Sequence, residues 1–155
     1  MKRFLIAASL VIALCAGCES EKQTTIASQE TAIENWITSK HSGKDVYRNG
    51  GSNRVVVILG ERDSIAAGDI VTMSLDGYVF SSGPSTQFCS ETVTTAVGSG
   101  NLVSGLDNGL IGAMAGEECY VVFNASYGFY DETIGAIPPM SALVYYIKVF
   151  DIEKQ

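Results

Sequence analysis

Residues 98–116 read GSGNLVSGLDNGLIGAMAG, and the fold turns on how this stretch is read. A glycine-rich loop enters one short helix, because Leu102, Val103, Leu106, Leu110 and Ile111 recur at helical spacing on one face. Ser104 is placed to cap its start, Asp107 complements the positive first turn, and Gly112 can close the end in a left-handed conformation. So short a helix does not hold itself together in water, so its apolar face must lie on something larger. The valine- and tyrosine-rich segments on both sides supply a sheet for it. A helix pressed into a curved sheet can also floor a pocket.

Outward from the helix, AGEE at 115–118 turns the chain into a strand over 119–124, and a loop over 125–139 leads to a long closing strand over 141–152. In the other direction, residues 69–80 read as a long strand. It continues past SSGPS at 81–85 into Phe88 and Cys89, and residues 92–97 read as a separate strand. NGGSN at 49–53 separates strand-like residues 45–48 from 54–59 as a hairpin, with a loop over 61–68. Ahead of these, Gln29 and Glu30 fit a first helical turn after Ser28. Ile33, Trp36 and Ile37 line one face, Lys40 and His41 suit the last turn, and Gly43 can stop it. Trp36 continues that stripe and is read as a packing anchor.

The expected class is therefore α+β: a curved antiparallel sheet wrapped around one short helix, with an additional amphipathic helix at the N-terminal side.

At 155 residues, 46% hydrophobic and 17% charged, the chain suits one globular domain with a sizeable core. Lys2 and Arg3 precede an apolar run over 4–14 and then CAGC at 15–18, the pattern of a secretory signal. The run is shorter than the roughly 20 residues a spanning helix needs. Ala16-Gly17 before Cys18 resembles the bacterial lipobox, although Cys15 stands where leucine is commonest. That resemblance implies an acylated Cys18, hence a protein of the cell envelope held on a membrane by lipid. The alternative is plain secretion after cleavage at small residues. The expected layout is a signal peptide over 1–17, a lipidated tether over 18–27, the N-terminal helix over 28–44 and the sheet domain over 45–155. Residues 19–25 suit the tether because they are polar and without periodicity.

Loss of Lys2 and Arg3 would take the net charge from −7 to −9, which speaks against a nucleic-acid partner. Cys89 and Cys119 could pair in an oxidising compartment or stay as buried thiols, and free thiols are the reading adopted. No metal is expected, since His41, Cys89 and Cys119 offer neither a pair on one turn nor a CxxC. His41 sits at a helix end outside the sheet, which disfavours a Ser/His/Asp or Cys/His nucleophile. Gly98-Ser99-Gly100 begins like a dinucleotide fingerprint, but Val103 stands where the third glycine belongs and no parallel βαβ unit is implied. Asn124-Ala125-Ser126 is formally a glycosylation sequon and is read as chance. What remains is an apolar and aromatic site without acid, base or metal.

From residue 68 to 152 the chain resembles the FKBP-type peptidyl-prolyl cis-trans isomerases. The carriers are GDIV at 68–71, the loop and helix at 98–110, GE at 116–117, SYG at 126–128 and IPPMSALVY at 137–145, in that order. The resemblance implies a curved sheet wrapping the short helix, with proline bound in the apolar cleft between them. It also implies proline-containing polypeptides as partners, no cofactor, and a rotamase acting in protein folding; a monomer is expected. Carried over by position, Tyr127 would hydrogen-bond the bound peptide's carbonyl and the Val103 N–H would meet another, with Phe88 and Ile137 as pocket walls. Leu102 and Val103 would form the rim, Leu106 the floor, and Tyr145 a wall on the closing strand. The family's floor tryptophan corresponds to Leu106, its strand tyrosine to Leu75, and the aspartate after the pocket phenylalanine to Cys89. Each change removes polarity or aromatic surface, so proline binding is expected more firmly than fast isomerisation. A non-catalytic peptide-binding or chaperone lipoprotein, its cleft covered or extended by the N-terminal helix, is one alternative. A structural part of a membrane-associated assembly is another.

Overall fold

Gly50 and Gly51, with φ of 52° and 83°, form a two-residue turn of the left-handed kind that matches strand twist. It joins β1 (Val46–Asn49) to β2 (Ser52–Ile58), pairing Asn49 with Ser52, so the hairpin is tighter than its five polar turn residues suggest. In this computed structural model, residues 2–155 are described, with side chains from Gly17 onward. The chain continues through β3 (Ile70–Phe80), β4 (Pro84–Ala96), the short helix α2 (Ser104–Leu110) and β5 (Glu118–Phe123). A 3-10 turn (Ala125–Tyr127) and β6 (Ala142–Glu153) complete it. The strands form one six-stranded sheet in the order β1-β2-β5-β6-β3-β4, with every pairing antiparallel. The α+β architecture is the one expected.

Period-2 alternation gives the sheet two apolar faces. Val71, Met73 and Leu75 of β3, Cys119, Val121 and Phe123 of β5, and Leu143, Tyr145, Ile147 and Val149 of β6 point to the front, where Leu106 and Leu110 of α2 close over them. The intervening Val122, Ala142 and Val144, with Val55 and Phe80, point to the back. Burying each such side chain contributes about 1.5–3 kcal/mol, which compensates for the weakness of a seven-residue helix.

The back face is covered by α1 (Lys2–Lys40) through Ile33, Trp36 and Ile37. Trp36 meets Phe80 and Tyr120 edge-on, at 5.6 and 5.4 Å between centroids, as a packing anchor should. The helix does not begin at Ser28. It runs unbroken through residues 18–27, so these are not an irregular tether, and Gln29 and Glu30 lie mid-helix. The physical reason is that no glycine or proline follows Gly17 until Gly43, so nothing stops propagation. Lys22, Ile26, Gln29 and Ile33 continue the inward stripe at helical spacing, two of them polar. The side chains of the expected leader, apart from Gly17, lie outside the described residues.

Two further differences concern strands and charge. Residues 84–96 form a single strand rather than two, because register shifts opposite Gly77, Tyr78 and Phe80 absorb the irregularity. Arg54 and Glu117, 3% and 1% exposed, form a buried ion pair that ties β2 to the turn before β5. Glu117 also accepts the Met114 N–H at 3.1 Å, and the Arg54 guanidinium stacks over Tyr47 at 4.5 Å. Arg54 Nε is buried without a partner.

Candidate functional site

α2 can sit close to the sheet because its inward face carries glycine. A Cβ at Gly105 would collide with the Phe123 ring, and one at Gly109 with Val121. Asn108 Nδ2 donates to the Gly50 carbonyl at 3.0 Å and Asn49 Nδ2 to the Asn108 carbonyl at 2.9 Å, clamping the helix to the β1–β2 turn. The N-cap is Val103, with φ −57° and ψ 140° and no side-chain cap; Ser104 is not the cap but lies in the first turn. Its hydroxyl donates to the Tyr127 carbonyl at 3.1 Å, tying the helix start to the loop after β5. Asp107 is buried and accepts the N–H groups of Gly98 at 2.9 Å and Gly100 at 2.8 Å, so it fixes the entering loop. Gly112 does not cap the helix: Ile111 ends it with φ −58° and ψ 126°, and Gly112, at φ 83°, forms the turn beyond, with its N–H donated to the Ile65 carbonyl at 2.8 Å and the Ala113 N–H donated to the Leu110 carbonyl at 3.0 Å.

Every residue expected at the site falls in one apolar cluster between α2 and the sheet. Its base is buried: Leu75, Leu106, Ile137 and Tyr145 are each no more than 5% exposed. Its rim, formed by Phe88, Cys89, Leu102, Val103 and Tyr127, is half-buried and meets solvent. The Phe88 ring lies over Gly77, where a Cβ would come within 2.6 Å of it. Tyr127 is seated on the hairpin turn, its ring against Gly51, whose φ of 83° and missing side chain make room for it. Its hydroxyl and the N–H of Val103 have no hydrogen-bond partner among the described residues.

The cluster is electrically neutral. Burial pushes the Tyr145 phenol up, with Cys89 and Glu91 nearby adding to the effect, and burial likewise pushes the Cys89 thiol up. Both groups therefore stay protonated near neutral pH. Cys89 and Cys119 are unpaired thiols. A site of this kind can hold an apolar group and offer hydrogen bonds at its edge.

Trp36 lies on the opposite face of the sheet and does not fill this space, and none of the described side chains of α1 belongs to the cluster. Two grooves of about 410 Å³ each lie elsewhere. One runs between α1 and the β1–β2 turn past Glu34 and Arg48, the other beside Leu59 and Phe150. Phe123 belongs to the cluster although sequence reasoning passed it over. It is fully buried on Gly105 and stacked with Tyr145 at 6.1 Å, and its inward position in the alternation of β5 was the available signal. Phe129 also packs on the cluster and carries no comparable periodic signal.

The site is thus an apolar, aromatic-rimmed cluster at the junction of an antiparallel sheet and the short helix that closes one of its faces. Residues 61–150 match the family of FKBP-type peptidyl-prolyl cis-trans isomerases, and the chain belongs to that family. It is 34% identical over 116 residues to the rat peptidyl-prolyl cis-trans isomerase FKBP9, covering 72% of this chain and 19% of that protein. It is 25% identical over 114 residues to FK506-binding protein 1 of Aspergillus oryzae, covering 66% of this chain and 98% of that protein. The chain thus spans about a fifth of the rat relative's length and nearly all of the fungal one's. Among solved structures, FkpA from Escherichia coli superposes with a TM-score of 0.65 at 16% identity, covering 95% of this chain and 70% of that chain. The three-domain structure of wheat FKBP73 gives 0.65 at 21%, covering 72% and 52%.

Proposed function

We propose that the protein is a peptidyl-prolyl cis-trans isomerase that binds X-Pro segments at the α2–sheet junction. The observation that supports this best is the arrangement of Tyr127 and Val103. Tyr127 and Val103, whose hydroxyl and N–H have no hydrogen-bond partner among the described residues, both pack at the edge of an apolar base of Leu75, Leu106, Ile137 and Tyr145. Amide resonance keeps the X-Pro bond planar and makes its isomerisation slow. In a neutral, apolar setting the less polar twisted imide is favoured relative to the planar forms, and hydrogen bonds at the edge hold the flanking backbone. Binding that is stronger for the twisted state accelerates exchange in both directions without nucleophile or cofactor. Phe88, Leu102 and Cys89 close the rim around the proline ring. The test is the isomerisation rate of a proline tetrapeptide. Acceleration that rises linearly with folded protein supports the reading, and a rate equal to background at high protein concentration overturns it.

A second reading is supported by Leu106 and Cys89, which leave the base without a tryptophan and the rim without a carboxylate: a proline-peptide binder with little catalysis. Peptide binding without rate acceleration, abolished by Tyr127→Ala, would select it.

The role we propose is assistance to the folding of exported proteins, in which X-Pro isomerisation limits the rate. The anchor would be an acylated Cys18, which is exposed on α1. The helical residues 18–21, ahead of the Lys22–Asp131 pair, would then be a stiff spacer of only about 6 Å at 1.5 Å per residue. Intact mass and membrane fractionation test this: Cys18→Ser should lose the acyl mass and appear in the soluble fraction.

A further inference from the structure

The loop between β5 and β6 supplies two residues to the cluster, Tyr127 near its start and Ile137 near its end. It contains little regular structure, and two of its non-glycine residues, Tyr130 and Met140, hold left-handed backbone at φ of 52° and 54°. Such conformations persist only where surroundings over-determine them. Backbone bonds from the Tyr130 N–H to the Ala125 carbonyl at 3.0 Å and from the Met140 N–H to the Tyr130 carbonyl at 2.6 Å supply part of that constraint, and α1, on the other side of the sheet, adds to it. Gln29 Oε1 accepts the Ala125 N–H at 2.9 Å and Gln29 Nε2 donates to the Met140 carbonyl at 2.7 Å. One side-chain amide therefore joins the two ends of the loop, and one end is a strained residue. Glu30 accepts from Asn124 Nδ2 at 2.9 Å, while Asn124 Oδ1 accepts the Ser126 N–H at 2.8 Å, which fixes the turn leading to Tyr127. Two helical turns before Gln29, Lys22 pairs with Asp131 at 2.7 Å and lies 5.1 Å from the centroid of the Tyr130 ring.

We infer that Gln29 is a positioning residue for the prolyl site: it sets the separation of Tyr127 and Ile137 from behind the sheet. Through it α1 governs how well the site grips the imide, although none of its described side chains belongs to the cluster. The inference rests on the isomerase reading above. The Gln29 amide needs both its donor and its acceptor for this, so removing each separately gives distinct results.

The experiment compares the full chain with Gln29→Met, which has similar length and neither hydrogen bond, with Gln29→Glu, which keeps only the acceptor, and with Arg48→Ala, which breaks the remote pair between Arg48 of β1 and Glu34 of the same helix. Tetrapeptide kinetics are measured well below each protein's melting temperature, together with amide exchange at Ala125. Gln29→Met should lose between about fivefold and a hundredfold in kcat/KM, the range expected from displacing a positioned group. Gln29→Glu should lose less, and Arg48→Ala nothing. Exchange at Ala125 should accelerate in Gln29→Met and stay slow in Gln29→Glu, a pattern that general destabilisation does not produce. If Gln29→Met does not fold, the contrast of Gln29→Glu and Lys22→Ala with Arg48→Ala carries the test. An active wild type with unaltered kcat/KM in the Gln29 variants overturns the inference alone. A wild type that neither binds nor isomerises the peptide overturns the reading beneath it.

Discussion

The ring of Phe88 stands edge-on to that of Tyr145, with 5.6 Å between centroids and 85° between planes, so a residue from an edge strand and one from a central strand make one wall. The geometry depends on Gly77, which pairs with both Cys89 and Tyr145 and leaves room for the Phe88 ring. Gly77→Val should displace that ring and reduce proline-peptide affinity about tenfold or more, since aromatic pairs and close packing both depend on placement. Isothermal titration with a proline peptide checks this, and unchanged affinity would refute the wall.

Tyr127→Phe keeps the ring on Gly51 and removes only the hydroxyl. One hydrogen bond to substrate corresponds to about tenfold in kcat/KM, with stability within about 0.5 kcal/mol of wild type. Parallel kinetics and urea unfolding separate the two effects.

Leu106 is 2% exposed under the cluster. Leu106→Ala should cost about 2–5 kcal/mol of stability by leaving a cavity. The urea midpoint should fall without a change in slope.

Arg54→Met leaves Glu117 buried without its cation. The cost expected for breaking a buried pair is about 3–5 kcal/mol, and the double variant Arg54→Met with Glu117→Leu should recover most of it. A double-mutant cycle in urea measures the recovery.

Stability should also respond to pH at both extremes. The Lys154 ammonium and the Ala66 N–H hold the Asp69 carboxyl below its usual range, as Tyr146 and Lys148 do for Glu118 and Lys22 does for Asp131. Groups with lowered folded pKa stabilise above the ordinary carboxylate range, and that stability is lost as pH falls through the lowered values. Burial and then the Glu118 hydrogen bond push the Tyr146 phenol up to about 12, so its contribution is full below the usual tyrosine value near 10 and disappears as pH rises through 12. Urea midpoints recorded across pH should therefore decline at the acid end and again above pH 10; a flat alkaline limb would contradict the Tyr146 assignment.

The sheet and α2 were legible because their signals are local: alternation in β5 and β6, paired glycines at 50–51, and Leu106 and Leu110 at helical spacing. The members of the apolar cluster were legible mainly through resemblance, since Phe88, Tyr127 and Ile137 come from an edge strand and an irregular loop with no common period. The extent of α1 was hidden because Lys22 and Gln29 occupy inward positions with polar side chains, which a hydrophobic pattern counts as outward. Ser104 looked like a cap by composition, but its hydroxyl is used by a carbonyl far along the chain, a partner no local rule supplies.

Trp36 is the one tryptophan of the chain, and its indole rests behind the sheet against Phe80 and Tyr120. Its fluorescence therefore reports whether α1 is attached. Because coupling through Gln29 is reciprocal, peptide captured on the front face should tighten α1, and the indole emission reads that tightening from behind the sheet while a labelled peptide reads the capture itself.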